Sequence, residues 1–145
     1  MATIKSKINQ AFQKIWIAEW QNTLECRQTK LFFPTPNPKQ SKNLMKLGRK
    51  KLGQIVQLVT GHNHLRYHQH QICQDIDPLC RLCEEDSETS WHLIGECPAL
   101  MEKRQEVFQK YFLDDNPVWT VFQLRDMING SRTLGMIDGL AEANP

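Results

Sequence analysis

The chain has 145 residues, 40% of them hydrophobic, with a formal net charge of +2 and a mean hydropathy of −0.53, which suits one small domain with a thin core and helical additions. No run of eighteen apolar residues occurs, and the N-terminus, Met1-Ala-Thr-Ile-Lys-Ser-Lys7, lacks the apolar stretch of a signal peptide. Five cysteines, an odd number, argue against a secreted disulfide framework, so the expectation is an intracellular chain of the cytoplasm or nucleus, with no membrane contact.

The small net charge hides a division. Residues 1–72 carry nine lysines and three arginines against Glu19 and Glu25, a balance of +10, whereas residues 73–145 carry six basic against fourteen acidic groups, a balance of −8. Such asymmetry points to polyanion contact by the basic half, or to mutual attraction of the two halves within one domain.

In chain order, Ile4, Ile8, Ala11, Phe12, Ile15, Trp16, Trp20 and Leu24 follow helical spacing with lysines and glutamines between them. Trp16 and Trp20 lie on one face; they suit a stacking platform for bases, but two tryptophans on an apolar helical face are expected as core. Leu31-Phe-Phe-Pro-Thr-Pro-Asn-Pro38 has prolines at alternate positions, which predicts an extended strap anchored by Leu31, Phe32 and Phe33. Lys39 to Lys42 then reads as an exposed basic linker.

A second helix is expected over Lys50–Val59, with Leu52, Ile55, Val56 and Val59 buried and Arg49, Lys50 and Lys51 crowding its first turn against the macrodipole. Gly61 ends it in the left-handed region, and Asn63 is placed to cap a third helix through Leu65, His68 and Ile72. The histidines at 62, 64, 68 and 70 read as solvated or core-edge side chains, since no Glu stands between His64 and His68 as the H-E-x-x-H signature needs.

The passage from Cys80 to Cys97 names a chemistry. It reads C-x2-C-x8-H-x4-C, three thiols and an imidazole at metal-like spacing, the ligand set of a tetrahedral structural zinc ion on Cys80, Cys83, His92 and Cys97. Cys80 and Cys83 suit a tight turn, and His92 and Cys97, five positions apart, are expected to return to one face of a helix or its end. Glu84-Glu-Asp-Ser-Glu88 reads as an acidic loop, and Thr89 or Ser90 as the cap of the helix that presents His92. Pro98 opens a further helix with Leu100, Val107, Phe108, Tyr111 and Phe112 on its apolar face. Val118–Ile128 is another helix, stopped by Gly130, before a weakly amphipathic tail from Leu134 to Leu140.

The expected fold class is mostly α: a small helical domain with a zinc-pinned CCHC knuckle and an N-terminal helical arm. Its divisions fall at 1–42 for helix and strap, 43–112 for the metal-binding domain with its knuckle at 80–97, and 113–145 for a helical tail.

Arg27-Gln-Thr-Lys30 ahead of Phe-Pro, Thr60-Gly-His62 with Leu65 and His68, Cys80-x2-Cys83, Glu88-Thr89-x2-His92-Leu, Glu96-Cys97-Pro and Arg104 occur in an order that resembles a known family. It is similar to the C-terminal tail of non-LTR retrotransposon polyproteins, which follows their reverse transcriptase and RNase H domains. The resemblance covers about residues 10–112. It implies zinc on the same four ligands and a knuckle that binds nucleic acid. The chain contains neither polymerase nor RNase H, so the resemblance implies a fragment or a domesticated remnant. The insert before His92 is longer and more acidic than in the retroviral nucleocapsid pattern, which resembles C-x2-C-x4-H-x4-C. That shifts the expected phosphate contact to the basic half.

The leading expectation is therefore a non-catalytic zinc module that contacts RNA or DNA through Lys30, Lys46, Arg49, Lys50, Lys51 and Arg66, acting on phosphates without base reading. The alternative is a protein-interaction or scaffolding module, docked on a polymerase, an RNase H domain or another partner. Its sign would be an exposed apolar patch left once the first helix is placed. Enzymatic activity is not expected: no H-x-E precedes Cys80 as in zinc deaminases, four ligands leave no open position, and no small-molecule substrate is implied.

Overall fold

The computed structural model describes residues 3–114 and 120–129. The expected helix start at Val118, its stop at Gly130 and the tail from Leu134 lie outside these residues. Seven α-helices, α1 (Ile4–Asn22), α2 (Arg27–Phe32), α3 (Pro38–Leu44), α4 (Arg49–Thr60), α5 (Arg66–Ile72), α6 (Met101–Phe108) and α7 (Val121–Ile128), carry the described chain. Among these residues no strand forms; Leu79 and Ser87 make one isolated antiparallel bridge at the neck of the knuckle.

The core lies where α4 and α7 meet α2 and the segment around His92. Ile55, Leu58 and Val59 of α4, Phe32 of α2, Val121, Leu124, Met127 and Ile128 of α7, and Leu65, Leu93 and Ile94 are buried together with Cys80 and Cys97. Burial of one such aliphatic side chain contributes about 1.5–3 kcal/mol, so the ligand cysteines belong to the most stabilised part of the molecule.

Helix ends follow their local chemistry. Gly61 closes α4 at φ 80°, the left-handed cap expected of it. A side chain at that position would also strike the Gln28 amide, which lies 2.7 Å from an ideal Cβ and donates to the Leu58 carbonyl at 3.0 Å. Thr120 and Gln123 form a capping box on α7. Asn63 caps the approach to α5 and not its first turn: its Oδ1 accepts from Leu65 N at 3.1 Å, one residue before the helix begins at Arg66. The Asn63 amide reaches back to Gln57 O and across to Ser90 Oγ, at 3.3 and 2.8 Å, and so ties the end of α4 to the turn that carries His92.

Two further expectations are corrected. Residues 39–42 are exposed apart from half-buried Gln40 but form a helix and not a linker: Asn37 accepts from Lys39 N and Gln40 N and Pro38 takes the first helical position, so α3 forms directly after the prolines. Gln40 Oε1 then accepts from Val121 N at 3.1 Å, docking α3 on α7. The apolar face of α1 is not core either. Ile4, Ile8, Phe12 and Ile15 are 62–79% exposed and Trp16 41%. The contact with the body is made by half-buried Trp20, whose indole N–H donates to Phe33 O at 3.1 Å. At about 100° per residue, Trp20 and Ile17 sit on the side of α1 opposite the Ile4–Ile8–Ile15 stripe. The stripe therefore points away from the molecule.

Candidate metal centre

Cys80 and Cys83 are carried by a tight loop. Cys80 N donates to Asp86 O at 2.8 Å and Glu84 N to Cys80 O at 2.9 Å, with Glu84 in the left-handed region at φ 57°. Thr89 Oγ1 accepts from His92 N at 2.9 Å, the cap expected for the segment that presents His92. From there the chain does not continue as α-helix. Residues His92–Glu96 form a π turn, closed by Cys97 N donating to His92 O at 2.6 Å.

That turn corrects the simple facing argument for the two ligands. On an α-helix, positions five apart are rotated about 140° from one another, so His92 and Cys97 would face different ways. The wider i→i+5 turn brings Cys97 back over His92. Gly95 sits inside it; a Cβ there would come within 3.2 Å of the Trp91 ring.

Cys80, Cys83, His92 and Cys97 each offer one ligand atom, and these four atoms lie within 4.8 Å of one another. Cys80 Sγ is 4.0 Å from Cys97 Sγ, and Cys83 Sγ is 3.3 Å from His92 Nε2. A tetrahedral ion with bonds of about 2.3 Å to sulfur and about 2.0 Å to nitrogen separates two sulfurs by about 3.8 Å and a sulfur from a nitrogen by about 3.5 Å. The donor set fits a metal ion in both spacing and chemistry. His92 Nε2 faces the cluster, and its buried Nδ1 has no hydrogen-bond partner. A His92 ring nitrogen and carboxylate oxygens of Asp86 and Glu96 form a second close group, within 4.8 Å, although both carboxylates are exposed.

Without a metal the cluster holds protons. The Cys97 thiol beside it, and then His92, hold Cys80 as a thiolate with its pKa lowered to about 3. The hydrogen bond to Cys80 raises His92 to about 9. Cys97, bonded to Cys80 and buried, is pushed upward and stays a thiol.

Two charged residues, Glu88 and Arg104, prove structural. Glu88, taken with the acidic loop, is fully buried. It forms an ion pair with Arg81 (2.7 Å) and accepts from Arg81 Nε, Arg81 N and Arg66 N at 2.9–3.0 Å. Arg104 is fully buried as well. The signal available for Glu88 was its place directly before Thr89, the turn that must return the chain to Cys80.

The six basic residues expected to meet phosphate are spread over three places. Lys30 of α2 donates to Thr23 O and lies over the Trp20 ring. Arg66 is half-buried at the start of α5, and Lys51 donates to Asn129 Oδ1 at 2.5 Å. Lys46, Arg49 and Lys50 surround the start of α4 in exposed positions, where Gly48 offers no side-chain cap and no acidic residue stands in the first turn. Tyr111 and Phe112, expected on the apolar face after Pro98, are instead more than half exposed, because α6 ends at Phe108 with Gln109 in the left-handed region. No helix of the described residues is long and apolar enough to cross a membrane.

No protein-family model, curated protein or solved structure matches this chain.

Proposed function

We propose that the chain is a non-catalytic module, pinned by one zinc ion on Cys80, Cys83, His92 and Cys97, that docks onto a protein partner through the outer face of α1. Thiolate and imidazole donors at tetrahedral spacing suit zinc among the common divalent ions. Bound there, zinc would join the knuckle loop to the π turn and so hold α4, α5 and α6 in register around them. Four protein ligands leave no open position, which favours a structural ion. The similarity to retrotransposon tails belongs to the same proposal and agrees with a module that serves larger neighbours.

The observation that carries the docking reading is the exposed stripe of Ile4, Ile8, Phe12, Ile15 and Trp16. A 19-residue helix with no buried residue gains little from the body and is marginal in water. Solvated lysines need no cover, whereas five large apolar side chains in one stripe do. Trp16 continues the stripe into an apolar groove of about 180 Å³ that it lines with Trp20, Phe33, Pro36 and Leu44. Lys7 and Lys14 border the stripe on one side, and Lys5 and the one acidic residue of the helix, Glu19, lie within it. The partner that fits is an apolar groove with a carboxylate rim. A second reading, nucleic-acid contact, has the support of Lys46, Arg49 and Lys50 at the uncapped start of α4, where cations and free N–H groups together suit phosphate.

Photo-crosslinking of the full chain in cells separates the two. With the crosslinking amino acid at position 12, adducts to one protein are expected, and Ile8→Asp should abolish them. Absence of a protein adduct at position 12, together with nucleic-acid adducts from position 50, would overturn the docking reading in favour of the second.

A further inference from the structure

We infer that Arg104 is the built-in counter-cation of the metal–thiolate cluster, a specificity-determining residue that suits the site to a divalent ion held by three thiolates and one neutral imidazole. The inference rests on the zinc reading above. Three thiolates around a divalent ion leave about one net negative charge, and a buried charge is costly unless an opposite one meets it.

The guanidinium of Arg104 is fully buried. Its Nε donates to Tyr111 O at 2.6 Å, one terminal nitrogen to Leu93 O at 3.3 Å and the other to Cys97 O, while the Phe112 ring covers it at 5.4 Å. Every acceptor is a neutral carbonyl. A buried arginine is ordinarily met by a carboxylate, and among the described residues none bonds to this one. Glu96, the nearest acid on the ligand turn, accepts instead from the Trp91 indole at 2.8 Å. Two of the three carbonyls belong to the π turn and its end: Leu93 follows the ligand His92, and Cys97 is itself a ligand. The cation is thus fixed against the segment that would carry the anion. A buried cation bonded to no carboxylate and a buried anionic cluster, one residue's backbone apart, complete each other.

Charge matching gives the site a preference. A divalent ion on three thiolates leaves one negative charge for one arginine; an ion of lower charge on the same donors would leave an excess.

The test measures zinc affinity of the full chain by competition with a chromophoric chelator. Arg104→Gln keeps hydrogen-bond donors and loses the charge; Arg104→Lys keeps the charge. Loss of an outer partner of a metal site lowers affinity about 10–100-fold, and Arg104→Gln is expected in that range, with Arg104→Lys closer to the unaltered chain. A purely structural staple would leave zinc affinity within about twofold in both variants even as their melting temperatures fell, and that result overturns the inference. If neither variant folds, the ¹⁵N-edited Nε–H signal of Arg104 decides. The signal is compared between the zinc-loaded unaltered chain and zinc-loaded Cys83→His, whose cluster of two thiolates and two imidazoles is neutral: slower exchange in the unaltered chain supports the role; equal protection in both overturns it. Failure of the unaltered chain to take up zinc removes both readings at once, before any variant is compared.

Discussion

At the scale of single residues, the ligand cluster stores protons that a metal ion must displace. Near pH 7 His92, raised to about 9, is an imidazolium, and Cys97, pushed upward by burial beside Cys80, is a thiol. Loading zinc at pH 7 is therefore expected to release at least about two protons. Calorimetric titration in two buffers of different ionisation enthalpy measures the number, and one proton or none would contradict the assignment of these ligands. The sign of the pH dependence follows. His92 in the metal-free fold lies above its unfolded value of 6.5, so its stabilisation is complete below about 6.5 and is lost as pH rises through about 9. Metal affinity runs the other way, rising with pH over the same window. Glu88 supports the cluster from behind. Its carboxylate accepts from one arginine side chain and two backbone N–H groups while fully buried. Removing one partner of a buried pair costs about 3–5 kcal/mol, so Glu88→Gln should lower stability by about 3 kcal/mol in a denaturant titration. A loss below about 0.5 kcal/mol would place Glu88 with ordinary surface acids.

At the scale of elements, what was legible in the sequence depended on how local its cause is. The stop at Gly61 and the cap at Thr89 are set by one residue's own chemistry, and both form as read. Helical periodicity places Val56 in the buried stripe of α4 with Ile55 and Val59, yet it is 47% exposed, since periodicity gives a face without its width. The strap expected over Leu31–Pro38 is shorter at both ends: Leu31 and Phe32 close α2, and Asn37 and Pro38 begin α3 together, a start that the alternate prolines mask. The π turn at His92–Glu96 has no periodic signature at all, because it is one widened turn whose reason is the ligand pair it brings together. Metal spacing identified the four ligands without supplying the backbone that makes their convergence possible. The burial of Glu88 and Arg104 was hidden for a related reason, since charge alone predicts a solvated side chain. Helix α3, capped by Asn37 and tied to α7 through Gln40, should resist limited proteolysis. Within residues 3–44, the first cut by a broad-specificity protease is expected near Leu24, 90% exposed between α1 and α2. First cleavage within residues 38–44 would mean that α3 does not hold its place.

At the scale of the whole molecule, the division of charge and the division of burial coincide only in part. The basic half supplies α2 and α4 to the core through Phe32, Ile55, Leu58 and Val59, while Lys46, Arg49 and Lys50 are among its exposed cations. The central claim is that one metal ion on Cys80, Cys83, His92 and Cys97 organises this small core. Metal analysis of the full chain, purified without chelator and followed by circular dichroism on chelation, tests it most directly. About one equivalent of zinc per chain is expected, absent in Cys80→Ser and retained in Cys73→Ser, with helical signal lost on chelation as the segment from Leu79 to Leu100 melts. Less than about half an equivalent, or zinc released by Cys73→Ser as well, would contradict the account.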